Sequence, residues 1–223
     1  MKIIHFAQRH LLARYSSIFI SMLTIVVLLI INRGEEFLST ILFSFATVSG
    51  IFLASSNTRE TAIALLLAVP WLVLSWIKLI YSTALLPPIF SNILIIVFMG
   101  FITALIFRHL TRAKEVTADL LFGASAAYLM IGILFALFYY IVIDYNPEAV
   151  AIPSGNTPKM NNLVYFSFTT ITTLGYGDVL SVSPIAKAIS IIEAITGVLY
   201  TAIIISRLMG LYIATALQDE KIR

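Results

Sequence analysis

Six times along this chain a run of apolar residues about as long as a bilayer is thick gives way to a polar joint, and this alternation limits the fold more than any other feature. The runs cover residues 15–31, 37–54, 61–80, 89–107, 116–143 and 184–216. About 20 apolar residues in helical form cross the hydrocarbon core, and a single segment in lipid satisfies its own backbone N–H and C=O groups only as a helix. The expectation is an all-α membrane protein with six transmembrane helices. The first run has the length of a signal peptide, but Asn32-Arg33-Gly34-Glu35-Glu36 offers no small-x-small cleavage site. Composition agrees with the membrane reading: 60% of the residues are hydrophobic and 11% charged, against about a quarter charged in a soluble domain. The lack of cysteine excludes disulfides, a thiolate nucleophile and cysteine-ligated metal. The net charge of +3 comes from scattered cations, so the lipid bilayer rather than nucleic acid is the expected partner.

Lysine and arginine collect on the cytoplasmic side of membrane proteins. With the N-terminus inside, Lys2, Arg9, Arg14, Arg59, Arg108, Arg112, Lys114, Arg207, Lys221 and Arg223 fall inside, and Arg33, Lys78, Lys159 and Lys187 outside. This distribution predicts a multi-pass protein of the cell membrane with both termini cytoplasmic, and it turns residues 144–183 outward. The polar joint at 108–117 reads as a cytoplasmic linker between a four-helix module, residues 1–107, and a second module, residues 118–217. Residues 218–223 read as a short cytoplasmic tail, so a soluble regulatory domain is expected on another chain.

The segment between the last two runs is the informative one. Residues 161–178 read Asn-Asn-Leu-Val-Tyr-Phe-Ser-Phe-Thr-Thr-Ile-Thr-Thr-Leu-Gly-Tyr-Gly-Asp, half apolar and too short to cross as a helix. Such a segment can enter the membrane and return. Non-helical backbone at that depth is tolerated only inside protein or against a water-filled cavity, so its polar groups need a ligand, and an ion fits that need. The stretch Thr172-Thr173-Leu174-Gly175-Tyr176-Gly177-Asp178 resembles the selectivity filter of potassium channels, with Leu174 where valine or isoleucine is commoner.

The residue types have a physical reason of their own. Successive carbonyls point at one axis only if the backbone alternates in hand, and glycine takes positive φ without steric penalty, which suits Gly175 and Gly177. With the Thr173 hydroxyl as a deeper ring, four strips would build stacked oxygen cages that replace the hydration shell of a cation. A homotetramer is therefore expected, with residues 162–172 as a short pore helix whose C-terminal dipole end favours cations.

The resemblance implies K+ as the permeant ion, held at Thr173, Leu174, Gly175 and Tyr176, with Gly177 completing the filter and no other cofactor. It implies that Tyr165, Phe166 and Thr169 support the filter, and that the Tyr165 hydroxyl donates to Asp178. It also implies a gating hinge at Gly197. On the last helix, Lys187 and Arg207 are about 30 Å apart at a rise of 1.5 Å per residue and suit opposite headgroup layers, with Gly197 halfway. Val198, Thr201 and Ile205 are expected to line the inner cavity, Ile205 at its narrowest point. Glu193 is the one carboxylate well inside a crossing, and an ionisable group there is a functional candidate. Ser167, Thr170 and Thr172 are its expected neighbours, and bracing the filter or sensing protons are its two candidate roles.

Helix four carries no cation between residues 89 and 107, whereas a voltage sensor needs several spread through the field. Opening that depends only weakly on voltage is expected. Ser39, Ser44, Ala46, Ser49 and Gly50 read as close helix packing, Trp71, Trp76, Lys78 and Tyr81 as an outer interfacial belt, and His5, His10 and His109 as solvated. A rival class uses the same letters, since Gly175-Tyr176-Gly177-Asp178 also fits the Gly-x-Gly-Asp pattern of intramembrane aspartyl proteases. That chemistry needs a second embedded aspartate sharing a proton, and Asp144, at the outer end of helix five, is a poor candidate. A secondary transporter would show paired broken helices, and one re-entrant segment is seen. A non-enzymatic, potassium-selective channel is the expectation.

Overall fold

Without water to bond with, each apolar run closes its hydrogen bonds within itself. The computed structural model describes residues 2–32, 35–54, 57–81, 88–113 and 116–222. Its elements are α1 (Lys2–Ile31), α2 (Glu36–Ala54), α3 (Thr58–Tyr81), α4 (Pro88–Arg112), α5 (Ala118–Tyr145), β1 (Val150–Ala151), α6 (Met160–Ile171), β2 (Leu180–Ser181) and α7 (Pro184–Ile222). Among the described residues, five helices are long and apolar enough to cross a membrane: α2, α3, α4, α5 and α7. The apolar part of α1, Tyr15–Ile31, is shorter than these.

Helix α5 is the hub, and α1, α4, α6 and α7 all pack on it. Its Ala126, Ala127 and Ala136 are fully buried, which lets neighbouring backbones approach closely. Thr117 starts the helix, its hydroxyl accepting the Leu120 N–H at 3.2 Å, as an N-cap does. Helix α4 sends Ile95, Phe98, Met99, Ile102 and Ile106 into the core at the three-to-four-residue spacing of one helix face. The small residues of α2 do serve packing. A Cβ on Gly50 would meet the Phe98 ring at 2.9 Å, and Ser44 accepts the Trp76 indole N–H at 3.1 Å.

Several boundaries differ from the sequence reading. Helix α4 continues through Arg112, so the joint to α5 is shorter than the expected 108–117. The added turn places His109 and Arg112 at a helix C-terminus, where cations suit the dipole, and Arg108 pairs with Glu60 of α3. Helix α7 runs to Ile222, so 218–222 continue a helix rather than form a separate tail. Trp71 is not interfacial: it is buried in the core because it falls ten residues before the end of α3, about 15 Å at helical rise. Lys78 pairs with Glu36 at 3.4 Å, and Tyr81 is exposed. His109 is exposed with its ring near Tyr15, while His5 and His10 lie outside the described side chains.

One small sheet interrupts the helices. Val150 pairs with Ser181 and Ala151 with Leu180, antiparallel, and the Ala149 carbonyl accepts the Val182 N–H at 2.8 Å. The chain after α5 is thereby joined to the chain that leads into α7.

Candidate functional site

Helix α6 is too short to span, and the packing around it explains its position. Its Leu163, Val164, Phe166, Ser167 and Ile171 are buried. Phe166 packs on the Tyr139 ring of α5 at 4.9 Å between centroids, and a Cβ on Gly132 would come within 2.8 Å of Phe168. Across the helix lies α7, where a Cβ on Gly197 would run into the Ile171 carbonyl oxygen and sit 2.8 Å from the Ile171 side chain. Gly197 is thus a point where two backbones almost touch, within an α7 that continues unbroken through it.

The stretch after α6 is tied back to it by its amides. Thr173 N–H donates to Thr170 O at 2.9 Å, and the N–H groups of Leu174 and Gly175 both donate to Thr169 O, at 2.9 and 3.0 Å. In a trans peptide unit the N–H and the preceding carbonyl point in opposite directions. The carbonyls of Thr172, Thr173 and Leu174 therefore face away from α6. Three residues in this stretch have positive φ, Thr173 at 59°, Gly175 at 50° and Gly177 at 77°, so the backbone alternates in hand at every second residue. The two glycines were legible in the sequence. Thr173 was not, although the same period reaches it, and its left-handed backbone costs about 1–2 kcal/mol for an L-residue, a form of strain that clusters at functional sites. The residues 172–178 are exposed along one open face.

At the far end of this stretch, the Tyr165 hydroxyl donates to Asp178 Oδ2 at 2.8 Å, and Val179 N–H donates to Oδ1 at 3.0 Å. That bond holds the Tyr165 phenol above its ordinary value. A raised tyrosine keeps its stabilising proton below about pH 10, and the contribution is lost as pH rises through the raised value. Tyr165→Phe is expected to release the Asp178 carboxylate and shorten open times in single-channel records, whereas unchanged open times would mean the bond does not hold the mouth.

Behind α6, Glu193 is completely buried. Its Oε1 lies 2.5 Å from Ser167 Oγ, and its Oε2 accepts from the Tyr139 hydroxyl at 2.7 Å. Ser167 also reaches Gly132 O at 2.6 Å, and Tyr139 reaches Ser190 Oγ at 3.1 Å. Of the expected neighbours, Ser167 is present. Thr170 and Thr172 instead bond back to Phe166 O and Phe168 O, as threonines in helices commonly do. Tyr139 was missed, and so was Tyr128, whose hydroxyl donates to Ile171 O at 3.0 Å while its ring meets Tyr200. The available signal was a tyrosine in the middle of an apolar helix, whose hydroxyl requires a partner.

Buried positions on α7 include Glu193, Gly197 and Ile204, facing α5 and α6, whereas Val198, Thr201 and Ile205 are exposed. Arg207 is held by the main chain around the end of α4. Its Nε donates to Leu110 O at 3.1 Å, and its Nη2 donates to Thr111 O and reaches Ala113 O at 3.5 Å. Its guanidinium thereby satisfies carbonyls left free at the α4 C-terminus.

Residues 127–213 match the family model described as Ion channel, a segment that takes in most of α5, all of α6 and the following stretch, and α7 as far as Ile213. No curated protein and no solved structure matched the chain. The match supports an ion-channel role for a multi-pass membrane protein, a transport role rather than an enzymatic one. Nothing supports the protease reading: Asp178 is occupied by Tyr165 and Val179 in an exposed stretch, and Asp144 is exposed at the last turn of α5.

Proposed function

We propose that the chain is a potassium-selective channel that works as a homotetramer in the cell membrane, with α1 as a sixth crossing and both termini cytoplasmic. The observation that carries this reading is the filter backbone. Three consecutive carbonyls, those of Thr172, Thr173 and Leu174, face away from their own pore helix, and the hand alternates at Thr173, Gly175 and Gly177. One strip cannot surround an ion, but four around an axis would form oxygen cages from Thr173, Leu174, Gly175 and Tyr176 that substitute for water around K+. Leu174 and Tyr176, 54% and 67% exposed in the single chain, would then pack against the neighbouring copies. Val198, Thr201 and Ile205 would line the inner cavity, with Ile205 at its narrowest ring. Phe166, Thr169, Tyr165, Asp178 and Glu193 would hold the filter in shape, the last by joining α5, α6 and α7.

The test is the reversal potential of the purified protein in a planar bilayer under a potassium/sodium gradient. A value near the potassium equilibrium potential is expected, and one near zero would overturn the selective cage. Cross-linking in the same preparation should trap a species of four chains. The same bilayer gives a second outcome: the basic residues of α4 are confined to its inner end, at Arg108, His109 and Arg112, so conductance is expected to vary shallowly with voltage. A steep curve requiring several gating charges would contradict that.

A further inference from the structure

We propose that a cavity at the outer end of the four-helix module binds a zwitterion that carries a primary ammonium group, an anionic oxygen group and an apolar portion. The cavity has a volume of about 510 Å³ and lies between α2, α3, α4, α5 and the segment leading into α6. That size is typical of small-ligand sites. It stands apart from the filter, and the proposal does not rest on the potassium reading.

Three groups of lining residues define the ligand. Phe43, Trp71, Ile95 and Leu137 give an apolar floor and are themselves buried. Beside them is a corner of donors. Asn92 Nδ2 is buried with no hydrogen-bond partner among the described residues, the hydroxyls of Ser75 and Ser91 meet at 3.3 Å, and Lys78 stands one turn beyond Ser75. A buried donor left unmade is costly, and an anionic oxygen placed there would satisfy Asn92 and Lys78 together. Next to it is a group of acceptors. Asp144 makes no ion pair among the described residues, and Glu36 holds only Lys78, at 3.4 Å. Tyr140, within electrostatic reach of Glu36, Lys78 and Asp144, also lines the cavity.

The charges balance, which decides the class. Glu36 and Asp144 oppose Lys78 and Lys159, all on the cavity wall, so a ligand of either net sign would leave one pair uncompensated. A zwitterion exchanges partners instead: its anion takes Lys78 and its ammonium takes Glu36 and Asp144. The acceptors ask for N–H donors, which a primary ammonium has and a trimethylammonium lacks. The rim residues Glu36, Asp144 and Lys159 are exposed, so the ligand can come from an aminophospholipid of the outer leaflet or from a free amino acid with an apolar side chain.

The chain has two tryptophans, and Trp71 lines the cavity whereas Trp76 does not. In full-length Trp76→Phe protein in phosphatidylcholine nanodiscs, Trp71 emission reports the site. One arm replaces part of the lipid with phosphatidylethanolamine, a second titrates free leucine, and a third uses phosphatidylglycerol. A saturable change in the first arm supports the lipid source, and one in the second supports the free amino acid. In either case Asp144→Asn should weaken the response about tenfold, equivalent to one lost charge-assisted contact. Asp144 is exposed, so its replacement spares the fold, and Lys159→Gln at the same rim provides a second variant. No saturable change in either of the first two arms, an equal response to phosphatidylglycerol, or indifference to both variants would overturn the proposal.

Discussion

Gly197→Ala is expected to abolish the current carried by the reconstituted protein and to lower its thermal midpoint. The added methyl would occupy the space of the Ile171 carbonyl and press on the Ile171 side chain. A rotamer change cannot relieve a clash with backbone, and overpacking a well-filled interior costs about 1–3 kcal/mol. The Ile171 carbonyl ends α6, two residues before the left-handed Thr173, so any shift there is transmitted to the proposed filter. The resemblance assigns Gly197 flexibility as a hinge, and the two roles separate in a double variant. Val198→Gly added to Gly197→Ala restores a flexible position without restoring the close approach. If close approach is what matters, the double variant stays silent; recovery of current would favour the hinge.

Glu193→Ala is the second large effect. The carboxyl fills a buried site between α5, α6 and α7, and removing it should cost about 2–5 kcal/mol, as other large-to-small changes in packed interiors do. Ser167 and Tyr139 each keep another partner, Gly132 O and Ser190 Oγ, so the main loss is the join between α7 and α6. The reversal potential is expected to move from the potassium value toward zero. Glu193→Gln has the same length, can accept from Tyr139 and can donate to Ser167, and should retain selectivity with stability within about 1 kcal/mol. Glu193→Asp is one methylene short of Ser167 and should resemble the alanine variant. If the Gln variant conducts normally but loses a pH dependence present in the parent, the proton-sensing role is favoured over bracing.

Much of the architecture was written in the sequence, because hydrophobic runs and their punctuation act locally. The apolar stretches became helices, although α1 begins at Lys2 rather than Tyr15 and α4 and α7 run on to Arg112 and Ile222, and 160–171 formed a short helix leading into the left-handed glycines. What was not legible came from contacts between distant segments. Trp71 was taken for an interfacial residue because its neighbours in sequence suggest one, whereas its neighbours in space place it in the core. Arg207 was read from spacing along its own helix, and the carbonyls that hold it lie about a hundred residues earlier. The Tyr139–Glu193 bond joins positions 54 residues apart, and each partner alone signals only that a partner exists. The pairing of β1 with β2 spans two residues on each strand, too few for a recognisable alternation.

The Arg207 contact has a consequence for how the two halves of the chain can change over time. Its acceptors are main-chain oxygens of Leu110, Thr111 and Ala113, which every residue type supplies. A change of side chain at Thr111 or Ala113 therefore leaves this connection in place, provided the helix still ends where it does. On the α7 side the connection depends on a single guanidinium. For this contact the dependence is one-sided: the acceptor side tolerates changes of residue type, and the donor side does not.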